Sequence, residues 1–587
     1  MAKRFLSFTK GYRLLSLICP IMIFIDVQIE LQIPKVMGEV ITLLYSIGTD
    51  GVTTDMVSSQ LINKLIQMLL LCAFTLCVGY IAARCSSIAS MGFGANLRRE
   101  LFFKVQGLSF ENIDKLKISS LITRMTNDVS SVQTVYSQTI MIFIKGPFML
   151  VSALIEARRI STELSTVFYA ALPAIVVILG AMAAVAVPLF KKMLKATDRF
   201  NGTLRGNING IRVVKSFVRE EHEKEKFHVS NTEVMNLTIK AQKLLILISP
   251  AIMIVIYGCL IFSMFRGSKL IIEGSGMEIG ELTAFTNYIT QVLSSFMTIL
   301  MVFISMVMAK ASFDRIAEVF KEEPSINDND ADKDLKVKDG SIEFRNVTFK
   351  YGEDAVKNAL EDINVHIEAG ETIGVIGATG SAKSTLIQLI PRIYDATEGE
   401  VIIGGENVKN YTFKNLRDEI AVVLQQNILF SGSIKENIRW GKLEASDEDI
   451  ENAAKAAQAH DFITEFENGY DTELGQGGNN VSGGQRQRIC IARALIRKPK
   501  ILIFDDCTSA VDTATDAKIR AALRGEDYKD ITKLIIAQRI TSIMDADRII
   551  VIDGGKIDSI GTHSELLTKS EIYHEIFVSQ QEGVLAQ

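Results

Sequence analysis

Apolar residues are distributed very unevenly along the 587-residue chain. Long apolar runs fall near 14–45, 62–90, 138–157, 164–190, 243–265 and 282–309. A helix needs about 20 mainly apolar residues to cross a bilayer, so six spanning helices are expected. The run from Leu282 to Ala309 carries no charge. Asp26, Glu30, Lys35 and Glu39 interrupt the first run, and Lys145 and Glu156 the third. A charge at membrane depth is costly and normally faces a cavity or a partner helix. On a helix extending into water the same residue is harmless, and Asp26 fits either description. The stretches 91–134 and 191–242 mix charges with periodic apolar positions, which predicts helices continuing out of the membrane rather than disorder.

Loop charge orients these spans. Arg98, Arg99, Lys104, Lys115, Lys117 and Arg124 lie in 91–134, and Lys191, Lys192, Lys195, Arg199, Arg205, Arg212, Lys215 and Arg219 in 191–242. The segment 46–60 has neither Lys nor Arg. Long basic loops therefore lie inside with the N-terminus, although Arg158, Arg159, Arg266 and Lys269 fall at outer boundaries. The basic prelude Lys3, Arg4, Lys10, Arg13 and the length of the first run predict a spanning helix rather than a signal peptide. Net charge is −5, which gives no footing for nucleic acid. Mean hydropathy is +0.23. The seven cysteines, Cys19, Cys72, Cys77, Cys85, Cys259, Cys490 and Cys507, form no metal knuckle, and they are expected to be reduced, buried small hydrophobes.

The pattern changes after a charged linker. Short β-rich runs alternate with helical ones, as in a soluble α/β domain. The boundaries expected are a transmembrane domain over 1–322, a linker over 323–339 and a second domain over 340–587. In the latter, the strand candidate Thr372–Ile376 runs into Gly377-Ala-Thr379-Gly380-Ser381-Ala382-Lys383-Ser384-Thr385, followed by the apolar-periodic Leu386–Ile390. Strand, glycine-rich turn and helix make a credible P-loop. Backbone N–H groups would face phosphates, Lys383 would reach the β- and γ-phosphates, and Ser384 would hold Mg²⁺. Ala382 stands where the motif has its second glycine. Its Cβ is a burden if that position needs positive φ, and harmless otherwise; the tolerant reading is favoured. A second strand, Ile501-Leu-Ile-Phe504, ends in Asp505-Asp506, and an aspartate at the end of a buried apolar strand suits the Walker B role of orienting the water shell of Mg²⁺.

Val481-Ser482-Gly483-Gly484-Gln485, leading into Arg486–Arg488 and Ile489–Leu495, resembles the signature motif of ABC transporters. With it a whole set of motifs falls into order. Tyr351 resembles the aromatic that stacks on adenine, and Gln425 the Q-loop glutamine that senses Mg²⁺ and the membrane domain. Ser509-Ala-Val-Asp512 resembles the D-loop. Phe110–Val129 and Gly210–Phe217 resemble the inner loops whose coupling helices dock on nucleotide domains. The resemblance covers nearly the whole chain and implies a six-helix all-α transmembrane domain followed by an α/β nucleotide-binding domain, the half-transporter of an exporter, using ATP and Mg²⁺ at the cytoplasmic membrane.

Two further positions depart from the family. The residue after the Walker B aspartate is usually glutamate, which polarises the attacking water; here it is Asp506, one methylene shorter. Position 538 is usually histidine; Gln538 hydrogen-bonds but carries no proton or charge. Misplacing the attacking water by ~1 Å costs on the order of a hundredfold in rate. The signature at 482–485 is intact. In this family two nucleotide domains dimerise head to tail, each ATP lying between one P-loop and the other signature. The pattern therefore resembles the degenerate-site subunit of a heterodimeric multidrug-type exporter, whose signature completes the partner's site. The alternatives are a homodimer with two slow sites and an ATP-gated regulatory or channel-like protein. The transported compound expected by analogy is a hydrophobic or amphipathic drug or lipid. Thr283, Asn287, Thr290, Gln291, Ser294 and Ser295 of the sixth run either line its path or simply pack helices, and packing is favoured for any single residue.

Overall fold

The structure, a computed structural model, describes residues 7–46, 54–274, 277–352, 355–506 and 511–585. The chain divides into two compact units: residues 1–106 with 119–321, and residues 107–118 with 322–587. Residues 107–118 were expected in the transmembrane domain. They cluster with the second unit because Asn112 Nδ2 and Lys115 Nζ donate to Glu322 Oε1, at 3.1 and 2.9 Å.

The first unit is helical. Among the described residues, six helices are long and apolar enough to cross a membrane: Arg13–Ser46, Val57–Gln106, Ile118–Ile160, Leu164–Asn209, Glu220–Ile272 and Ile279–Lys321. The longest, at 53 residues, would reach about 80 Å at 1.5 Å per residue, well beyond a ~30 Å hydrocarbon layer. The apolar runs are thus the middles of longer helices. The first helix breaks at Leu31, between Arg13–Glu30 and Gln32–Ser46. Pro34 lacks the N–H that would bond Glu30, and the hydroxyl of buried Tyr288 donates to the Leu31 carbonyl at 2.8 Å. Phe285, Tyr288, Ile289, Val292 and Leu293 of the last helix pack on Cys19, Ile23, Val27 and Phe168.

Asp26 is buried, with 7% of its surface exposed. Lys145 Nζ lies 3.0 Å from Asp26 Oδ2 and 2.9 Å from Glu30 Oε2. An inward-facing, paired charge decides between the two readings of Asp26. The polar groups of the sixth helix mostly bond their own backbone: Thr283 to Ile279, Asn287 to Thr283, Thr290 to Thr286, and Ser294 and Ser295 to Gln291. Such side chains are satisfied inside their helix and leave an apolar surface. The cysteine expectation needs correcting: Cys19, Cys85, Cys259 and Cys490 are buried, but Cys72 and Cys77 are exposed. They sit on the outer side of an amply apolar helix, where lipid rather than protein supplies the apolar surroundings. Cys507 lies outside the described residues.

Among its described residues the second unit holds twelve strands: β1 Ile342–Phe349, β2 Leu360–Ile367, β3 Thr372–Ile376, β4 Glu398–Ile403, β5 Glu406–Asn407, β6 Ile420–Val423, β7 Gly432–Ser433, β8 Glu473–Leu474, β9 Ile501–Asp505, β10 Thr532–Ile536, β11 Arg548–Asp553 and β12 Lys556–Gly561. They form an antiparallel sheet β2-β1-β4-β5, a six-stranded sheet β12-β11-β3-β10-β9-β6 and the pair β7-β8. Strands β11, β3, β10, β9 and β6 run parallel. Alternation sends Leu502 and Phe504 to one core, with Ile489 and Leu495 of the helix Gly483–Leu495, while Ile501 and Ile503 join the other, with Phe344 and Ile403 of the antiparallel sheet. Both faces are covered, so the strands read as continuous apolar runs rather than alternating ones.

Candidate functional site

Because β3, β6, β9 and β10 are parallel neighbours, their C-terminal ends open on one edge, where ligands gather in α/β sheets. Each end delivers an expected residue: the 377–385 loop after β3, Gln425 after β6, Asp505 and Asp506 at β9, and Gln538 after β10.

The loop after β3 is tightly constrained. A Cβ at Gly377 would stand 2.0 Å from the Ile552 carbonyl oxygen, so only glycine fits. Thr379 and Gly380 are exposed on the crest of the loop, and Ser381 is buried beneath it. Ala382 has φ 72° and ψ 24°, the left-handed region. The condition under which a Cβ is a burden, positive φ, is therefore met, and a Cβ there costs roughly 1–2 kcal/mol relative to right-handed backbone. The next residue, Lys383, opens the helix Lys383–Leu389. Its ammonium donates to the carbonyls of Gly377 and Ala378 at 2.9 and 2.8 Å, and burial lowers its pKa.

Ser384 Oγ donates to Asp505 Oδ1 at 2.9 Å, joining the ends of β3 and β9. One residue on, Asp506 has φ 46° and hydrogen-bonds Ile536 O through its backbone N–H. Its Oδ2 accepts from Gln538 Nε2 at 2.7 Å and from Gln425 Nε2 at 3.3 Å. The two departures from the family pattern therefore touch each other, which no spacing in the sequence discloses. Burial pushes the carboxyls of both Asp505 and Asp506 above the ordinary range, against the pull of these donors and of Lys383.

Tyr351 follows β1 and is 47% exposed. Its hydroxyl bonds Thr385 Oγ1 at 3.0 Å and donates to Gln388 Oε1 at 3.2 Å, so the ring is tethered to the helix behind the loop. Phe349 and Tyr394 abut it edge-on, with centroids at 4.9 and 5.3 Å. Gln388 was not anticipated, nor was Gln580, whose Nε2 donates to Gln538 O at 2.8 Å and whose Oε1 accepts from Ile540 N at 2.9 Å. Both act through tertiary contacts that leave no mark on local patterning.

The signature residues stand apart from this cluster in their bonding. Ser482 caps the helix Gly483–Leu495 through a reciprocal box: Ser482 N donates to Gln485 Oε1 at 2.9 Å and Gln485 N to Ser482 Oγ at 3.2 Å. Ser482 and Gly483 are exposed, while Gly484 and Gln485 are half-buried. Asp512 caps the next helix by accepting from Thr515 N at 2.9 Å; Ser509 and Ala510 lie outside the described residues.

Comparison with known proteins agrees with this architecture. The family model of the ABC transporter transmembrane region matches residues 16–296, and the ABC transporter family model matches 360–509. The ABC transporter ATP-binding protein YfiB of Bacillus subtilis is 36% identical over 578 residues, 98% of each chain. A Staphylococcus aureus protein provisionally named a multidrug export ATP-binding/permease protein is 32% identical over 587 residues, 99% of this chain and 100% of that one. A bacterial Atm1-family ABC exporter with ATP bound shares the fold at TM-score 0.81, with 23% identity, covering 97% of this chain and 98% of that one. The chain belongs to the ABC transporter family. It is a multi-pass membrane protein with the exporter fold, an ATP-binding cytoplasmic domain and transport-coupled ATPase activity.

Proposed function

We propose that this chain is the degenerate-site subunit of a heterodimeric exporter that moves hydrophobic or amphipathic compounds out across the cytoplasmic membrane. The observation that carries the reading is the bond from Gln538 Nε2 to Asp506 Oδ2. A base that is to position water must offer its carboxylate to that water. Here one oxygen is engaged by two amide donors on a shortened side chain. ATP is held in this half-site and hydrolysed slowly.

Holding ATP falls to the loop 377–385 and to Tyr351, whose exposed ring offers a face to adenine. Lys383 pairs with phosphate oxygens, exchanging its carbonyl partners for anionic ones. The Ser384 hydroxyl, the Asp505 carboxylate and the Gln425 side-chain amide suit a hard cation that takes oxygen ligands, so this is where Mg²⁺ fits. Mg²⁺ would supply charge neutralisation between β- and γ-phosphates. Ser482, Gly483, Gly484 and Gln485 are fixed by their own capping box and point their exposed end outward, which suits a γ-phosphate held on the P-loop of a second ABC subunit. ATP then joins the two nucleotide domains, and the segments Phe110–Leu121 and Ile211–Phe217 pass closure to the membrane helices.

Support for the substrate class comes from the membrane unit. A cavity of about 600 Å³ there is walled mainly by apolar and aromatic side chains such as Phe93, Val132, Met306 and Phe313, with Lys310 and Asp314 also lining it. Its size and its mainly apolar wall with a few charged and polar groups match a drug-sized amphipathic molecule. The test uses the transporter purified with its partner from native membranes. Lys383→Ala in this chain should leave most ATP turnover, whereas Ser482→Arg should abolish it. Equal loss from both substitutions would sink the asymmetric reading.

A further inference from the structure

The aromatic cluster at Tyr351 continues in a direction the nucleotide site does not need. Tyr394 lies edge-on to Tyr351 at 86°, and also contacts Phe349 with centroids 5.6 Å apart. Its hydroxyl donates to Asp114 Oδ2 at 2.6 Å. Asp114 is on the short helix Phe110–Leu116, which the chain enters from one long membrane helix and leaves toward the next. That helix is otherwise fastened to the start of the second unit: Asn112 Nδ2 donates to Glu323 O at 3.1 Å, and Lys115 to Glu322. These bonds hold its base, while the Tyr394 bond reaches toward the nucleotide side.

We propose that Tyr394 is a positioning residue that carries occupancy of the Tyr351 ring to Asp114, and so to the helix between two membrane spans. This rests on the reading of Tyr351 as the adenine platform. The tether from Tyr351 to Thr385 and Gln388 limits how that ring can turn, and a base stacked on its open face limits it further. Tyr394 packs against the edge of the same ring, so restricting one restricts the other. A single short hydrogen bond then passes the restriction to the 110–116 helix as reduced local motion, a form of coupling that needs no large displacement. Burial, aided by the Asp114 carboxylate, pushes the Tyr394 hydroxyl well above the usual tyrosine range. It therefore remains a donor at any working pH.

Hydrogen exchange on the full chain in nanodiscs tests this, with and without Mg·ATP. In the natural protein ATP should slow exchange both in 377–389 and in 107–118, the latter by roughly tenfold if one charge-assisted bond is being secured. Tyr394→Phe keeps the ring and removes the donor. It should retain slowing in 377–389 and lose it in 107–118, as should Asp114→Ala. Asp114→Asn, which keeps an acceptor oxygen, should restore it. A purely structural role would change exchange in 107–118 equally with and without ATP. The proposal is overturned if Tyr394→Phe still shows ATP-dependent slowing in 107–118, or if the natural protein shows slowing only in 377–389. Absence of slowing in 377–389 of the natural protein would overturn both this and the assignment of the nucleotide site.

Discussion

If the proposed reading of a slow half-site holds, replacing Asp506 by Glu and Gln538 by His should speed hydrolysis there, and the size of the gain follows from one bond. Gln538 Nε2 lies 2.7 Å from Asp506 Oδ2. A hydrogen bond to a charged group is worth about 1.5–3 kcal/mol. A carboxylate that must give up this bond to accept from water meets a barrier higher by that amount, and each 1.36 kcal/mol is about tenfold in rate. Release of the bond therefore predicts roughly ten- to a hundredfold faster hydrolysis. Glutamate adds one carbon–carbon bond, about 1.5 Å, which shifts the carboxylate from the position where it meets the Gln425 and Gln538 amides. Because the two side chains touch, their effects should not multiply independently, and a coupling of about 0.5–3 kcal/mol is expected. The assay is phosphate release at saturating Mg·ATP from the transporter purified with its partner, for the natural protein, each single variant and the double, in a background where the partner's own P-loop lysine is replaced by alanine. An unchanged rate in the double variant, or single effects that simply multiply, would refute the reasoning.

Ala382→Gly removes a Cβ from left-handed backbone at φ 72°. After allowing for the greater unfolded-state freedom of glycine, a net gain near 1 kcal/mol is expected, read as a rise of roughly 2–4 °C in the unfolding midpoint of the nucleotide domain. For pH, burial raises Asp505 and Asp506. Such acids contribute full stability below their unfolded value near 3.8, and that contribution is lost as pH rises through the folded value. Conversely, acidification protonates them early, so Mg²⁺-dependent binding of a fluorescent ATP analogue should fail at a pH above the ordinary carboxylate range. Lys383, lowered by burial, should lose its charge on the alkaline side before an ordinary lysine would. In the membrane unit, Lys145→Met strands Asp26 and Glu30 and should cost about 3–5 kcal/mol, seen as loss of the monodisperse fraction in detergent, with Asp26→Asn restoring part of it. A Cβ at Gly280 would lie 1.9 Å from the Gly38 carbonyl oxygen, so Gly280→Ala should force two helices apart and lower the thermal midpoint, whereas Gly180→Ala, with open space around it, should not.

Much of this was legible from local pattern alone. Apolar run length predicts six spans because a bilayer imposes a minimum length. The P-loop and the signature stand out because phosphate binding constrains consecutive residues. The ends of the helices were less legible: the 62–90 run lies within Thr54–Gln106, since polar residues outside the membrane continue the same helix. The break at Leu31 needed Pro34 and the distant hydroxyl of Tyr288 together.

What the sequence determined by itself was the inventory of parts, six spans and an ABC nucleotide domain with substitutions at 382, 506 and 538, because each part is encoded in contiguous residues. Only the tertiary structure decided how the parts act on one another. Parallel pairing of β9 and β10 brings residues 506 and 538 into hydrogen-bond contact across 32 positions. The backbone angle at Ala382 turns an unremarkable alanine into a strained one. Tyr394 meets Asp114 across 280 positions. Contacts of that range follow from the packing of sheets and helices against one another, and hydrophobic periodicity carries no record of which side chains end up opposite.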